Sequence, residues 1–274
     1  MKKVNIKIVL LVVLCLLLIG CSFSRVAVYS KSDGKPIAFA SMTRGKSNYY
    51  TNYQGNLSFF RTAFPEKVKF FHLGYDEKTV QLPFAIFYSS VRIFLDTASY
   101  EEIQGQILDI FGGVTSYEYE YYLTVSGENS KNQEFVAKCD GKNFFFESNG
   151  DFSGSHMKVW SIDNQMYKSD DNLLIEGPLT AEEKQALYEK NIVFIPIQEL
   201  FTLIFPSDIP NETRVENNVI YFAWENGSME IKISENRFPV EVNFESTESA
   251  TNVVYKLVLN IKNINDEVKI TNEL

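Results

Sequence analysis

The chain is 274 residues long, with 35 acidic against 26 basic side chains and a formal charge of −9. An acidic protein without a basic cluster has no electrostatic footprint for a polyanion, so nucleic acid is excluded as a partner. The length exceeds one typical domain of ~100 to 150 residues, and 22 Phe with 15 Tyr favour strands, so two β-rich domains are expected.

Lys2, Lys3 and Lys7 precede or begin an apolar run over 8–19 that closes in Gly20 and Cys21. A charged start, an apolar stretch and a small residue before a cleavage point mark a secretory signal. The run rises only about 18 Å as a helix against a hydrocarbon core of ~30 Å, which suits a signal better than a permanent span. Leu18-Ile19-Gly20-Cys21 resembles the lipobox of bacterial lipoproteins. The resemblance implies that residues 1–20 are removed and that Cys21 becomes the lipidated N-terminus, with 21–24 as anchor and linker. Diacylglycerol on the thiol and an acyl group on the amine give the more-than-one chain that stable anchoring needs. Loss of 1–20 removes three lysines and no acid, so the membrane link is expected through lipid on Cys21 rather than a polybasic patch. Ser22 stands where Asp would signal inner-membrane retention, which favours the outer membrane in a host with two. The expected place is a cell membrane or outer membrane, on an extracytoplasmic face.

With Cys15 removed and Cys21 lipidated, Cys139 has no partner for an intrachain disulfide. Its run, 135–139, suggests a buried strand position rather than a reactive thiol.

Residues 25–97 break into short runs at 25–29, 37–43, 47–51, 57–60, 67–71, 78–82 and 90–95, separated by turn residues such as Asp33-Gly34, Arg44-Gly45 and Gln54-Gly55-Asn56. Seven short strands at this spacing, with no helical periodicity, predict a small β-sandwich. The stretches Asp33-Gly34-Lys35-Pro36-Ile37-Ala38-Phe39-Ala40, Thr51-Asn52-Tyr53-Gln54-Gly55-Asn56-Leu57-Ser58-Phe59 and Phe71-His72-Leu73-Gly74-Tyr75 carry a resemblance. They are similar to the carboxypeptidase-regulatory-like, transthyretin-like β-sandwich family. That resemblance implies a non-catalytic spacer or docking unit of an envelope protein. Phe39 replaces a residue that is small in many members, and Tyr53 one that is commonly acidic.

Residues 98–115 are expected as a connector, with a short helix over 101–111 ended by Gly112-Gly113. From 116 to 274, alternating runs at 117–125, 133–139, 143–147, 156–162, 165–168 and 173–175 read as an antiparallel meander. Thr180-Ala181-Glu182-Glu183 has the form of a capping box opening a helix. Pro196 opens a second helix over 197–205, whose Ile197, Leu200, Phe201, Ile204 and Phe205 form an apolar stripe. Strands resume at 219–224, 228–233, 238–245 and 253–261. The fold class is therefore mainly β, a seven-stranded sandwich followed by a larger antiparallel half-barrel with two to three helices. The order of Asp140-Gly141-Lys142-Asn143-Phe144, apolar helices, and Phe238-Pro239-Val240-Glu241-Val242 resembles the LolA/LolB-like lipoprotein-carrier fold. By that resemblance the five stripe residues are candidates for an apolar ligand cavity; a packed core is the other reading of the same side chains.

No H-E-x-x-H, phosphate-binding loop or G-x-S-x-G occurs, and His72 and His156 lack zinc-ligand spacing. Catalytic residues, metal and cofactors are all expected to be none. Tyr117, Tyr119 and Tyr121 alternate with acids as in a half-buried strand, with carbohydrate stacking as the rival reading. The expectation is a non-enzymatic lipoprotein binding lipid or an acylated protein; the alternative is an interaction or adhesion protein with a protein or glycan partner.

Overall fold

The computed structural model describes residues 22–127, 130–151, 156–163, 165–170, 173–174, 178–189 and 194–266. Cys21, with Leu18, Ile19 and Gly20, lies outside them. The chain divides into two compact units, one ending at Ser99 and including Glu235–Arg237, the other running Tyr100–Ser234 and onward from Phe238.

The first unit contains β1 (Ser22–Ser30), β2 (Ser41–Arg44), β3 (Ser47–Tyr50), β4 (Asn56–Arg61), β5 (Glu66–Phe71), β6 (Lys78–Leu82) and β7 (Phe87–Leu95). They form two sheets, in the orders β4-β1-β7 and β3-β2-β5-β6. All pairs are antiparallel except β1 with β7. Every run expected as a strand is one, although the run at 37–43 enters its sheet only at Ser41. The cause is Phe39, whose φ of 57° leaves the extended region and whose ring meets Tyr53 edge-on at 4.7 Å. Alternation buries Val26, Val28, Phe59, Ile93 and Leu95 from one sheet and Met42, Val68, Phe70 and Leu82 from the other.

The turn before β4 shows why its residue types are needed. The buried Thr51 hydroxyl donates to the Ile37 carbonyl at 2.8 Å and accepts the Ala40 N–H at 2.9 Å. Asn52 Oδ1 accepts the N–H groups of Gln54 and Asn56 at 3.0 and 2.9 Å. Gly55 has φ +69°, and a Cβ there would stand 2.6 Å from the Val28 carbonyl oxygen. Only glycine fits both demands.

The second unit begins with α1 (Tyr100–Gly112), followed by β8 (Tyr117–Ser126), β9 (Lys131–Cys139), β10 (Phe144–Gly150), β11 (Met157–Ile162), β12 (Gln165–Asp170) and β13 (Leu173–Leu174). Two helices follow, α2 (Ala181–Glu189) and α3 (Ile197–Ile204), then β14 (Glu212–Glu216), β15 (Val219–Trp224), β16 (Gly227–Ile233), β17 (Pro239–Glu248) and β18 (Val253–Lys262). The strands make one open antiparallel sheet in the order β13-β12-β11-β10-β9-β8-β18-β17-β16-β15-β14. Two meanders thus meet at a single seam, β8 against β18, whose register pairs Tyr121 with Leu259 and Leu123 with Leu257. Among the described helices none is long and apolar enough to cross a membrane.

The capping box at Thr180 forms: its hydroxyl accepts the Glu183 N–H at 3.3 Å, while Glu183 accepts the Thr180 N–H at 2.8 Å. The segment expected as a connector carries α1, whose Tyr100, Ile103, Ile107 and Phe111 are buried at helical spacing. Helix α3 stops at Ile204, because Phe205 turns to φ −74°, ψ 120°. One strand, β14, was not among the expected runs. It pairs with β15 through Asn217 and Asn218, both at positive φ, the backbone a two-residue hairpin turn requires.

Candidate functional site

The side chains on one face of the large sheet follow from its register, since residues directly opposite across neighbouring strands share a face. One row reads Ile220, Ile231, Val242, Leu259, Tyr121, Phe135, Ser148 across β15, β16, β17, β18, β8, β9 and β10. Its first four members are fully buried. The neighbouring row reads Phe222, Met229, Phe244, Leu257, Leu123, Gln133, Gly150. Here burial is interrupted: Phe222 and Met229 are sealed, but Phe244, Leu257 and Leu123 are only half-buried.

Helices α1 and α3 supply the cover over the sealed part. Phe111 stacks on Phe201 at 4.8 Å, and Phe201 meets Phe205 at 6.1 Å, which in turn meets Phe222 edge-on at 6.3 Å. Tyr100 sits edge-on to Phe205, Phe222 and Trp224, and its hydroxyl donates to the Pro206 carbonyl at 2.7 Å. Burial pushes that phenol up to about 12. The start of α3 is tied to β8 by side chains: the Ile197 N–H donates to the Tyr117 hydroxyl at 3.2 Å, and the Tyr119 hydroxyl donates to the Ile195 carbonyl at 2.8 Å.

The five candidate cavity residues can therefore be placed. Ile197, Leu200, Phe201 and Phe205 are buried and Ile204 is half-buried. None of them lines the two hollows formed at the ends of the half-buried row. Tyr117 and Tyr119 are buried too, stacked at 6.2 Å, which leaves no free ring face for a sugar. Cys139 is half-buried at the end of β9, where its sulfur accepts the Gly141 N–H at 3.4 Å.

The larger hollow, about 540 Å³, is bounded by the loop after α3 and by the ends of β15, β16 and β17. Trp224 and Phe244 supply aromatic surface, with Pro206 and Ile209 beside them. The indole N–H of Trp224 is held by the Asp208 carbonyl at 2.7 Å, which fixes the ring. Among the described residues, the charged ones lining this hollow are Asp208, Glu225 and Glu248, all acidic. The smaller hollow, about 360 Å³, lies on the far side of the seam, on β8, β9 and β10, and is lined by Leu123, Gln133 and Gly150 among others. Gln133 is buried and donates to Ser148 Oγ at 2.7 Å. Gly150 is required there, since a Cβ would fall 2.3 Å from the Asn132 carbonyl oxygen. Both volumes are in the range of small-molecule sites. Phe244 belongs to the first hollow and Leu123 to the second, and Leu257 joins them across the sheet.

Chemically the surface is apolar along its floor, amide-rich at one end, where Glu134 also stands, and acidic at the other. A cationic or uncharged group fits the acidic end, whereas a carboxylate or phosphate would meet like charge. His72 lies in the first unit, buried, with Nδ1 donating to the Leu73 carbonyl at 2.8 Å. His156 faces Glu147 at the start of β11. Among the described residues no three His, Cys, Asp or Glu side chains stand together as a metal site.

No protein-family model matches the chain, and no curated protein matches it. Among solved structures, a LolA superfamily protein from Nitrosomonas europaea superposes with a TM-score of 0.27 and 7% identity over 64% of this chain and 96% of that one. A DUF1329 family protein from Desulfovibrio piger gives a TM-score of 0.22 and 10% identity, over 61% of this chain and 92% of that one. A putative membrane-associated protein of unknown function from Bacteroides fragilis gives 0.22 and 9%, over 89% and 99%. At such TM-scores none of these likenesses fixes a family or a function for this chain.

Proposed function

We propose that the protein is a non-enzymatic cell-envelope lipoprotein, held to an extracytoplasmic membrane face by lipid on Cys21, whose large sheet receives an apolar ligand. The ligand class is the acyl chain of a lipid or of an acylated protein. The reading is carried by the row Phe244, Leu257 and Leu123, where an apolar face sealed at its β15–β16 end is left half-open between two hollows. Leaving such surface wet forgoes about 25 cal/mol per Å², which a bound hydrocarbon chain would recover. The acidic lining of the larger hollow favours a ligand whose polar end is uncharged or cationic over a free fatty acid.

Native mass spectrometry of the Cys21→Ser chain purified without its signal should show co-purified lipid. Fluorescent acyl probes with an uncharged head should bind more tightly than the matching carboxylate. Leu257→Glu, which puts a charge in the middle of the row, should weaken the uncharged probe by about tenfold or more. A ligand-free spectrum together with no binding of either probe would remove the proposal. A single envelope protein dominating a pull-down would favour the interaction reading instead.

A further inference from the structure

We infer that the end of the first unit at which β1 begins is a membrane-seating surface, and that the side chains of Phe60, Phe64, Phe84, Ile86, Phe87 and Tyr88 enter the headgroup–acyl boundary of the bilayer that carries the Cys21 lipid. These six are between 42% and 72% exposed, as are Tyr50, Tyr53 and Phe94 elsewhere in the unit, but only the six share one end of the sheet β4-β1-β7. They come from four places that the fold gathers at one end: the end of β4, the start of β7, and the loops 62–65 and 83–86 that adjoin them. Phe23 on β1 ties the group together, its ring 5.4 Å from Phe60 and 6.2 Å from Tyr88. Phe64 meets Phe84 edge-on at 6.3 Å.

The loops are held in place by a buried arginine. Arg61 Nε donates to Ser24 Oγ at 2.7 Å, Nη1 donates to the carbonyls of Thr62 and Phe64 at 3.2 and 2.9 Å, and Nη2 donates to the Pro83 carbonyl at 2.5 Å and to Ser89 Oγ at 3.4 Å. Every donor of the fork is used, and every acceptor is neutral. The Ala85 N–H donates to the Ala63 carbonyl at 3.0 Å, joining one loop to the other. Phe87 is held at φ +69°, a costly conformation for a bulky side chain, with its ring in the open. A buried charge and a strained backbone are spent on presenting apolar rings outward.

Three observations make the occupant a bilayer. Cys21 is bonded directly to Ser22, the first residue of β1, and one residue spans only about 3.8 Å, so a lipid on its sulfur leaves no tether between this end and the membrane. Residues 62–65 and 83–90 contain no charged side chain, in a chain that is 22% charged. Arg25 and Arg92 lie exposed on the same sheet face as Phe23 and Tyr88, placed for phosphate headgroups. Aromatic rings with a polar fringe are what membrane interfaces select.

The inference rests on the proposed lipidation of Cys21, and the test separates the two. The processed protein carrying Phe64→Trp is reconstituted into phosphatidylcholine vesicles containing brominated lipid, beside the parent with Trp160 and Trp224 alone. The added indole emission should shift to the blue, be quenched by bromine and become inaccessible to acrylamide. If intact mass shows Cys21 acylated yet the added indole stays open to acrylamide, the seating is wrong while the anchor stands. If the mass shows Cys21 unmodified, the anchor is wrong, and the same reporter in the Cys21→Ser chain added to vesicles decides the surface alone. Partitioning that falls about tenfold with Phe60→Ser and Phe84→Ser together upholds it, and no partitioning overturns it. Protection from acrylamide without vesicles, with the mass of a dimer, also overturns it by assigning the rings to a second copy of the chain.

Discussion

His72 is sealed inside the first unit with one ring nitrogen bonded to the Leu73 carbonyl and Nε2 without a hydrogen-bond partner among the described residues. Burial lowers its pKa from 6.5 to about 4. Between those values the unfolded chain binds a proton that the folded chain refuses, so this contribution to stability is whole above pH 6.5 and declines as pH falls toward 4. At roughly 1.4 kcal/mol per unit, the loss approaches about 3 kcal/mol. Urea midpoints at pH 5 should lie below those at pH 7, and His72→Phe should flatten the difference. Gly55→Ala places a methyl against the Val28 carbonyl at a positive φ and should cost about 1 to 3 kcal/mol in a thermal melt. Arg61→Lys is not conservative either: three donors on a flexible stem replace five in a fork, so the Ala85 amide should exchange faster while the Val28 amide keeps its protection. The glycine could be seen in the sequence because a turn must break apolar alternation. The arginine could not, because three of its acceptors, Ser24, the Pro83 carbonyl and Ser89, come from distant parts of the chain.

Strands with regular alternation were readable, and the seven runs of the first unit all became strands. Strand β14, Glu-Thr-Arg-Val-Glu, was not readable, because it lies at a sheet edge where charges guard against pairing with other chains. The stripe on α3 was equally visible, but an apolar helix face does not say what lies opposite it. The opposing surface is aromatic and close: Phe201 is fully buried between Phe111 and Phe205. Phe201→Ala should accordingly cost about 3 to 5 kcal/mol, measured as a shift in denaturation midpoint, whether or not ligand is present. The row Phe244, Leu257 and Leu123 was hidden for a different reason. Its members come from three strands, and the β17–β18 and β8–β18 registers together line them up.

At the scale of the whole chain, the attachment proposal rests on Cys21. Cys21→Ala should abolish globomycin-sensitive processing and release or mislocalise the protein, as fractionation and immunoblotting would show; unchanged processing would refute the anchor. The single seam of the large sheet has its own consequence. Strands β8 to β13 can pair as they emerge, and so can β14 to β17, but each group ends at the seam with a row of unpaired backbone groups. A chain made amino end first therefore holds two half-built sheets apart until Val253–Lys262 arrives to zip them together. Folding of the sheet waits on β18, and over that interval the sticky borders of both halves are what a chaperone would have to shield.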